Sequence, residues 1–281
     1  MNRLRVAWLP DGKRLHLYHD PIDLIIQAFG RPAEVGRAYD AGIARARALL
    51  PELREDVQRL KAGALPQGPA GQRALAACAA VPGGPPAVAV LHGAIADEML
   101  AAMVQAGQLE RGFVNNRGAV SFHLAEGQSL TPQSMDWPAY HRFDVQLPVS
   151  AATRTRGLTA AGWAYDGMAL GWVNRIHVAA GSATMAASCL AGIATRMLPL
   201  EGGQTLTAVP QSPLEDIPLY APVPDMARDE AAAILAQGRE VAEQLFAGSV
   251  ITLAAMELGE QYCLVAPPNY SLKSIIMGLD G

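Results

Sequence analysis

Residues 113–124 read Phe-Val-Asn-Asn-Arg-Gly-Ala-Val-Ser-Phe-His-Leu, two short apolar runs on either side of a polar Asn-Asn-Arg-Gly corner. Such runs favour extended backbone, and Asn and Gly supply the left-handed conformations that a tight reversal needs. The chain is therefore expected to turn back on itself here, setting a strand at Gly112–Asn115 against one at Ala119–Leu124. A tight reversal of this kind joins antiparallel neighbours, since parallel ones need a long crossover.

The rest of the pattern agrees. Arg3–Leu9 and Arg14–His19 are joined by Pro10-Asp11-Gly12-Lys13, a strong turn signal, and Asp23–Phe29 is a third apolar run closed by Gly30. Val35, Tyr39, Ile43, Leu49, Leu53, Val57 and Leu60 then recur near the helical period, with Pro51 predicting a kink or a break. The stretches 62–71 and 81–86 read as loops around a short Ala-rich helix. Ala87–Ala106 reads as a buried helix opened by a strand-like Ala-Val-Ala-Val-Leu. Residues 130–143 have no period and look like an inserted loop.

Further strands are expected at Asp144–Val149, Gly157–Trp163 and Met168–Val178. The last two would form a hairpin around Asp166-Gly167. Ser182–Leu198 is a second Ala-rich helix, Thr205–Val209 a short strand and Pro210–Pro224 a connection. Asp225 stands where it would cap a helix over Met226–Ala247, with Asp229 and Glu230 near its positive end and Gly248 beyond its last turn. Ile251–Leu258 and Tyr262–Val265 form a hairpin around Gly259-Glu260. Antiparallel pairs separated by about four helices give an α+β protein. We read residues 1–281 as a single domain with flexible loops near 62–71 and 130–143 and a loose tail after 267.

Composition narrows the functional classes. A formal charge of −4, a pI near 5.9 and no basic run argue against a nucleic-acid partner, as does an aromatic content of 6%. No membrane span is expected, because every long apolar stretch is interrupted by Gly, Pro or charge. Cys78, Cys189 and Cys263 lie far apart among apolar neighbours, which suits structural thiols in a reducing, cytoplasmic compartment. The 51% hydrophobic content can build a sizeable core and admits a homo-oligomer.

Neither a phosphate-binding Gly loop nor a nucleophile elbow is present. Val81-Pro82-Gly83-Gly84-Pro85-Pro86 is a turn, because its prolines remove amide donors. None of His16, His19, His92, His123, His141 and His177 pairs at four-residue helical spacing, so no metal site is expected. The candidate ligand contacts are Asn115, Asn116, Arg117 and Gly118, whose amide and guanidinium donors suit a carbonyl, phosphate or carboxylate. The plain β-turn reading of the same four residues stands beside it. His92 precedes a helix whose first turn Asp97 and Glu98 would favour electrostatically. His177 alternates with Ile176 and Val178, so its ring faces away from them. Trp137, Tyr140 and His141 sit on the inserted loop, as a lid or a partner surface.

Residues 11–29 (DGKRLHLYHDPIDLIIQAF), 93–103 (GAIADEMLAAM), 113–124 and 157–178, with the closing 227–258, resemble in order a bacterial and archaeal family of the ApbE-like superfamily. The resemblance implies an ApbE-like α+β fold of mostly antiparallel sheets packed with helices. The wider superfamily includes FAD:protein FMN transferases, which use Mg²⁺ to move FMN from FAD to a protein hydroxyl. This sequence departs from their motifs. Against Asn-Asn-Gly-Gly-Asp-Ile it has Arg117 at a glycine and Ala119 at the acid. Against Ala-Asp-Ala-x-x-Thr the ungapped match puts Ala187 and Ala191 at the metal-ligand positions, with Ser182, Thr184 and Ser188 nearby. Asn174 stands where an Asp precedes an apolar run. Mg²⁺ takes hard, usually anionic oxygen ligands, and alanine has none. The expectation is a protein without the Mg²⁺ carboxylates and with no required cofactor, flavin being the alternative. It would bind a small ligand or serve as an accessory subunit to a partner enzyme. The competing expectation is a metal-independent enzyme acting on a small anionic or heteroaromatic substrate through Arg117, His92 or His177 with Asn115 or Asn116.

Overall fold

The computed structural model describes residues 3–19, 22–131, 144–145, 147–166, 169–199, 220, 226–268, 270 and 276–277. The chain is α+β, with a nine-stranded antiparallel sheet at its centre. Three strands open it as a meander, β1 (Arg5–Trp8), β2 (Leu15–His19) and β3 (Ile22–Phe29). Helices α1 (Pro32–Lys61), α2 (Pro69–Ala79) and α3 (Leu91–Ala106) follow. Then come β4 (Arg111–Asn116) and β5 (Ala119–Leu124), which are the reversal expected from residues 113–124.

Short strands β6 (Ser129–Leu130), β7 (Asp144–Val145) and β8 (Val149–Ser150) lead to β9 (Gly157–Ala161). A helical turn α4 (Trp163–Asp166) precedes β10 (Arg175–Ala180) and α5 (Ala183–Ala194). Helix α6 (Arg228–Ala247) comes before the hairpin of β11 (Ile251–Leu258) and β12 (Gln261–Val265), and β13 (Ile276–Met277) follows. The large sheet runs β1-β2-β3-β4-β5-β9-β10-β11-β12, so the chain lays down its strands in order and steps aside only between β5 and β9.

Period-two alternation makes this sheet two-faced. In β3 every second residue, Ile22, Leu24, Ile26 and Ala28, is buried, and these pack with α1 and α3. Ile176, Val178 and Ala180 of β10 join α5 and α6 on the same layer. The opposite face carries Phe122, Leu158, Ala179, Leu253 and Ala255 against Leu147 and Val149. Full burial of each of the larger apolar side chains among these, the leucines, isoleucines, valines and Phe122, contributes about 1.5–3 kcal/mol. Helix α3 is the axis of the helical layer, touching α1, α2, α5, β4 and β5. With the turn before it, Ala87–Ala106, it is long and apolar enough to cross a membrane by composition, yet 61% of its apolar window is buried within the protein. It crosses α5 closely at Gly93, where a β-carbon would stand 2.5 Å from the Ala183 carbonyl oxygen.

Several local expectations are corrected. Pro51 does not divide the helical run, since α1 is continuous from Pro32 to Lys61. Pro51 is exposed, Leu49, Leu53 and Asp56 hold the buried face, and Arg45 clamps Glu52 across the proline with contacts of 2.9 and 2.7 Å. Tertiary burial outweighs the lost backbone bond. The first loop ends earlier than expected, because α2 begins at Pro69. There Asp56 accepts the Gln67 and Gly68 amides at 2.8 and 2.9 Å. Ala87–Val90 is a 3-10 turn rather than the start of a strand, leading straight into α3.

The expected antiparallel pairing of these two strands is present, as β9 with β10, but it closes far from Asp166, and Gly167 lies outside the described residues. Strand β9 ends at Ala161, opposite Ile176, and the apolar residues between them bury as a connection. Trp163 and Trp172 pack there with ring centres 6.3 Å apart. Asp144–Val149 divides into two short strands, and the tail returns to pair Ile276–Met277 with Asp144–Val145. At the start of α6 the cap position is Ala227, without a side-chain hydrogen bond, while Asp225 lies outside the described residues. So do residues 132–143, with Trp137, Tyr140 and His141, and the stretch 205–209.

Pro51→Ala is expected to stabilise the protein by about 1–3 kcal/mol, because it restores an intrahelical donor at an exposed position. A urea midpoint no higher than that of the parent would show that the proline is not under helical strain.

Candidate functional site

The turns of the sheet collect at one end. The reversal between β4 and β5 lies there, beside the start of β3, the first turn of α3, the end of β9 and the start of β10. Arg117 and Gly118 form its two-residue loop with φ of +51° and +90°. Two successive positive values match the strand twist in a tight hairpin, and Gly118 accepts this at no steric cost. The Asn115 side-chain oxygen accepts the Gly118 amide at 3.0 Å. Asn116 is 1% exposed. Its amide nitrogen donates to the His92 carbonyl at 3.1 Å, and its oxygen takes the Asp23 amide at 3.4 Å. Asn116 thus ties the hairpin to α3 and β3, as buried polar groups require partners.

Of the residues singled out from sequence, Asn115, Asn116, Arg117, Gly118 and His92 come together at this corner. Arg117 is the exposed member. Burial, and secondly the Arg117 cation, push His92 down to about 4, so its ring is neutral at pH 7. His177 is fully buried two strands further on, between Ala160 and Ala255 in the ladder. It points away from the helical layer that holds Ile176 and Val178. Burial, with Arg175 beside it, pushes His177 down to about 3. Asn174 lies at the same end of the sheet, but its side-chain oxygen holds the Gly259 amide at 2.8 Å, pinning the turn between β11 and β12.

Three polar centres escaped the sequence reading. Asp97, expected to favour the first turn of its own helix, lies deeper in α3 and serves the start of α5 instead. Its carboxylate accepts Ser121 Oγ at 2.6 Å, the Ala183 amide at 3.1 Å, and the Thr184 amide and hydroxyl at 2.9 and 2.5 Å. With Ser182 Oγ accepting the Met185 amide at 3.1 Å, the first turn of α5 is filled by the protein's own oxygens. Beyond it, Arg175 and Glu257 form a buried cross-strand ion pair at 2.5 Å. Burial raises the Glu257 carboxyl, and Arg175 opposes that shift. Third, His16 Nε2 meets Asp23 Oδ1 at 2.7 Å on the half-open face, with the Tyr18 ring 6.2 Å from the imidazole. Only the alternation of His16 and Tyr18 along one strand hints at this last pair; nothing local announces the other two.

The oxygens near the expected Mg²⁺ positions are engaged within the protein. Ala187 and Ala191 are core residues at 3% and 1% exposure. The hydroxyls nearby are engaged, Thr184 with Asp97 and Ser188 with the Ala77 carbonyl at 3.1 Å. Among the described residues no three His, Cys, Asp or Glu side chains converge. The cysteines are free thiols, with Cys78 and Cys189 buried.

The depressed histidines imply acid sensitivity. An unfolded chain takes up these protons near pH 6.5, whereas the folded one resists until about 4 at His92 and about 3 at His177. Between those limits the unfolded state binds more protons, so folded stability falls as pH drops below 6.5. Each histidine contributes a slope of up to about 1.4 kcal/mol per pH unit. Urea midpoints at pH 7, 5.5 and 4.5 measure this, and a flat profile would contradict it. Arg117→Ala should move the NMR-measured His92 pKa upward, toward 6.5. An unchanged value would leave burial as the sole cause.

Comparison with known proteins places the chain in a family. A family model described as AbpE bacteria matches residues 6–264. Solved structures similar to the chain include the apo flavinyl transferase ApbE of Pseudomonas stutzeri. That match has 9% identity and a TM-score of 0.36, over 64% of this chain and 48% of that one. A point variant of the flavin transferase ApbE from Vibrio cholerae matches at 11% identity and a TM-score of 0.37, over 97% and 98% of the two chains. This chain thus spans about half the length of the first of these. No curated protein matches. With the family model covering nearly its whole length, the chain belongs to the AbpE bacterial family.

Proposed function

We propose that this AbpE-family chain works in the cytoplasm by binding a small anionic or heteroaromatic ligand, or as an accessory subunit, and does not transfer FMN. The observation that carries the reading is the saturation of the first turn of α5. Asp97 and Ser182 occupy its amides, and alanines stand where metal oxygens would be needed. No carboxylate is left over at α5 to organise Mg²⁺, so no step is drawn through a metal. Arg117 remains, an exposed guanidinium on a rigid turn beside a neutral imidazole. A ligand anion meeting it gains a charge-assisted hydrogen bond. The enzymatic alternative, with Arg117, His92 or His177 acting beside Asn115 or Asn116, finds less support, since both asparagine side chains are engaged in holding the corner. His177 points into the layer opposite the helices, whereas His92 opens α3.

The test is direct. Purified protein incubated with FAD, Mg²⁺ and an acceptor peptide carrying Ser and Thr is expected to leave the peptide unmodified by mass spectrometry. Mg²⁺-dependent gain of FMN would refute the reading. In native mass spectrometry, any small molecule that co-purifies should be depleted about tenfold in Arg117→Ala, corresponding to one charged contact.

A further inference from the structure

A second polar site lies at the far end of α3. One end of that helix carries His92 at the corner; the other closes a cavity of about 530 Å³ between the start of α1 and the start of β4. Arg31, Glu34, Arg37, Gln105, Gln108 and His123 are among its walls. At about 1.5 Å per residue, the length of α3 separates the two places by more than 20 Å.

The cavity is built around a buried carboxylate. Glu34 is 7% exposed and receives donors on both oxygens. Oε2 takes the Gln108 amide at 2.8 Å, and Oε1 takes Arg31 Nη2 at 3.4 Å together with Arg37 Nη2. The Gln108 amide first, then Arg37, holds this carboxyl below its usual range. Glu34 is therefore a fixed anion, already satisfied, that draws two guanidinium groups toward one space. Each has one further anchor, Arg31 on the Gln108 side-chain oxygen at 3.2 Å and Arg37 on the Ala106 carbonyl at 3.3 Å. Their side chains stay 72% and 56% exposed, so the remaining N–H groups stand open to a ligand.

His123 completes the wall. Its Nε2 lies 3.2 Å from the Leu109 carbonyl, which can only accept, so Nε2 donates there and fixes the ring. Two cations held by one anion leave a net positive charge. A carboxylate would be satisfied by a single guanidinium fork. Two guanidinium groups gathered at one space with N–H donors still open suit a tetrahedral oxyanion, whose several acceptor oxygens can meet both. The geometry points to a phosphate-binding site here, for hydrogen phosphate or a phosphate monoester, held by Arg31 and Arg37 and independent of the corner at Arg117.

Calorimetric titration of the full chain with inorganic phosphate, methyl phosphate and acetate tests it. Saturable phosphate binding is expected, weakened at least tenfold in the double variant Arg31→Ala/Arg37→Ala. Both side chains are largely exposed and the Gln108 amide still holds Glu34, so the fold should survive at a lowered thermal midpoint, as a retained cooperative unfolding transition above the titration temperature would verify. Tighter binding of methyl phosphate than of phosphate would assign a monoester; the reverse order would assign the free ion. In the unaltered protein, the guanidinium Nε–H signals of Arg31 and Arg37 should shift during the phosphate titration. Acetate binding as tight as phosphate, no saturable binding, or loss of binding in Arg117→Ala but not in the double variant would overturn the site. That last outcome would leave the reading of the Arg117 corner standing, so the two fail separately.

Discussion

The carboxylate of Asp97 joins what would otherwise be separate layers. It reaches from the middle of α3 to the first turn of α5 and to Ser121 of β5, accepting four hydrogen bonds in a buried setting. A helix start buried in a core carries amides that water cannot reach, and these must find acceptors. The close crossing at Gly93 brings α3 near enough for a carboxylate on the next turn to supply them. Removing the oxygens would strand the donors, which costs more than a typical hydrogen bond contributes. The mutual position of α3, α5 and the sheet centre depends on this contact, and so does the corner where α3 begins.

The same contact shapes what the site can do chemically. An open helix start attracts anions, but here the protein's own Asp97 and Ser182 occupy that place. Polar capacity moves outward to groups held by the backbone yet facing solvent, namely Arg117 on its two-residue turn and the two arginines gathered by Glu34. In each case buried groups fix the geometry and exposed donors are left for a ligand. Arg175 and Glu257 follow another logic, since both are buried and bind each other across neighbouring strands.

Much of the fold was legible. The Asn-Asn-Arg-Gly corner, the Pro-Asp-Gly-Lys turn and the alternation through Ile22–Phe29 gave the strand pairing directly, because turn chemistry and period-two burial are local properties. Errors arose where burial overrode a local rule. Pro51 stays inside α1 because the opposite face is packed, and burial of Trp163 and Trp172 shortens the expected strands on either side of their connection. The site was less legible. The corner was found, but its Asn116 is a structural tie and its Asn115 a turn cap. The Glu34 cavity left no trace, since its arginines at the start of α1, Gln108 before β4 and His123 of β5 lie on three separate segments.

The amino-acid order alone determined the reversals, the helical stretches and the two-faced sheet, because each follows from residues within a few positions of one another. Tertiary structure decided which polar groups are spent and which remain available. Asp97 meets partners 24 and 86–87 residues away, and Asn116 meets one 93 residues away. No local pattern can report such partners, because a hydrogen bond consumes a group only when the chain has brought donor and acceptor within reach.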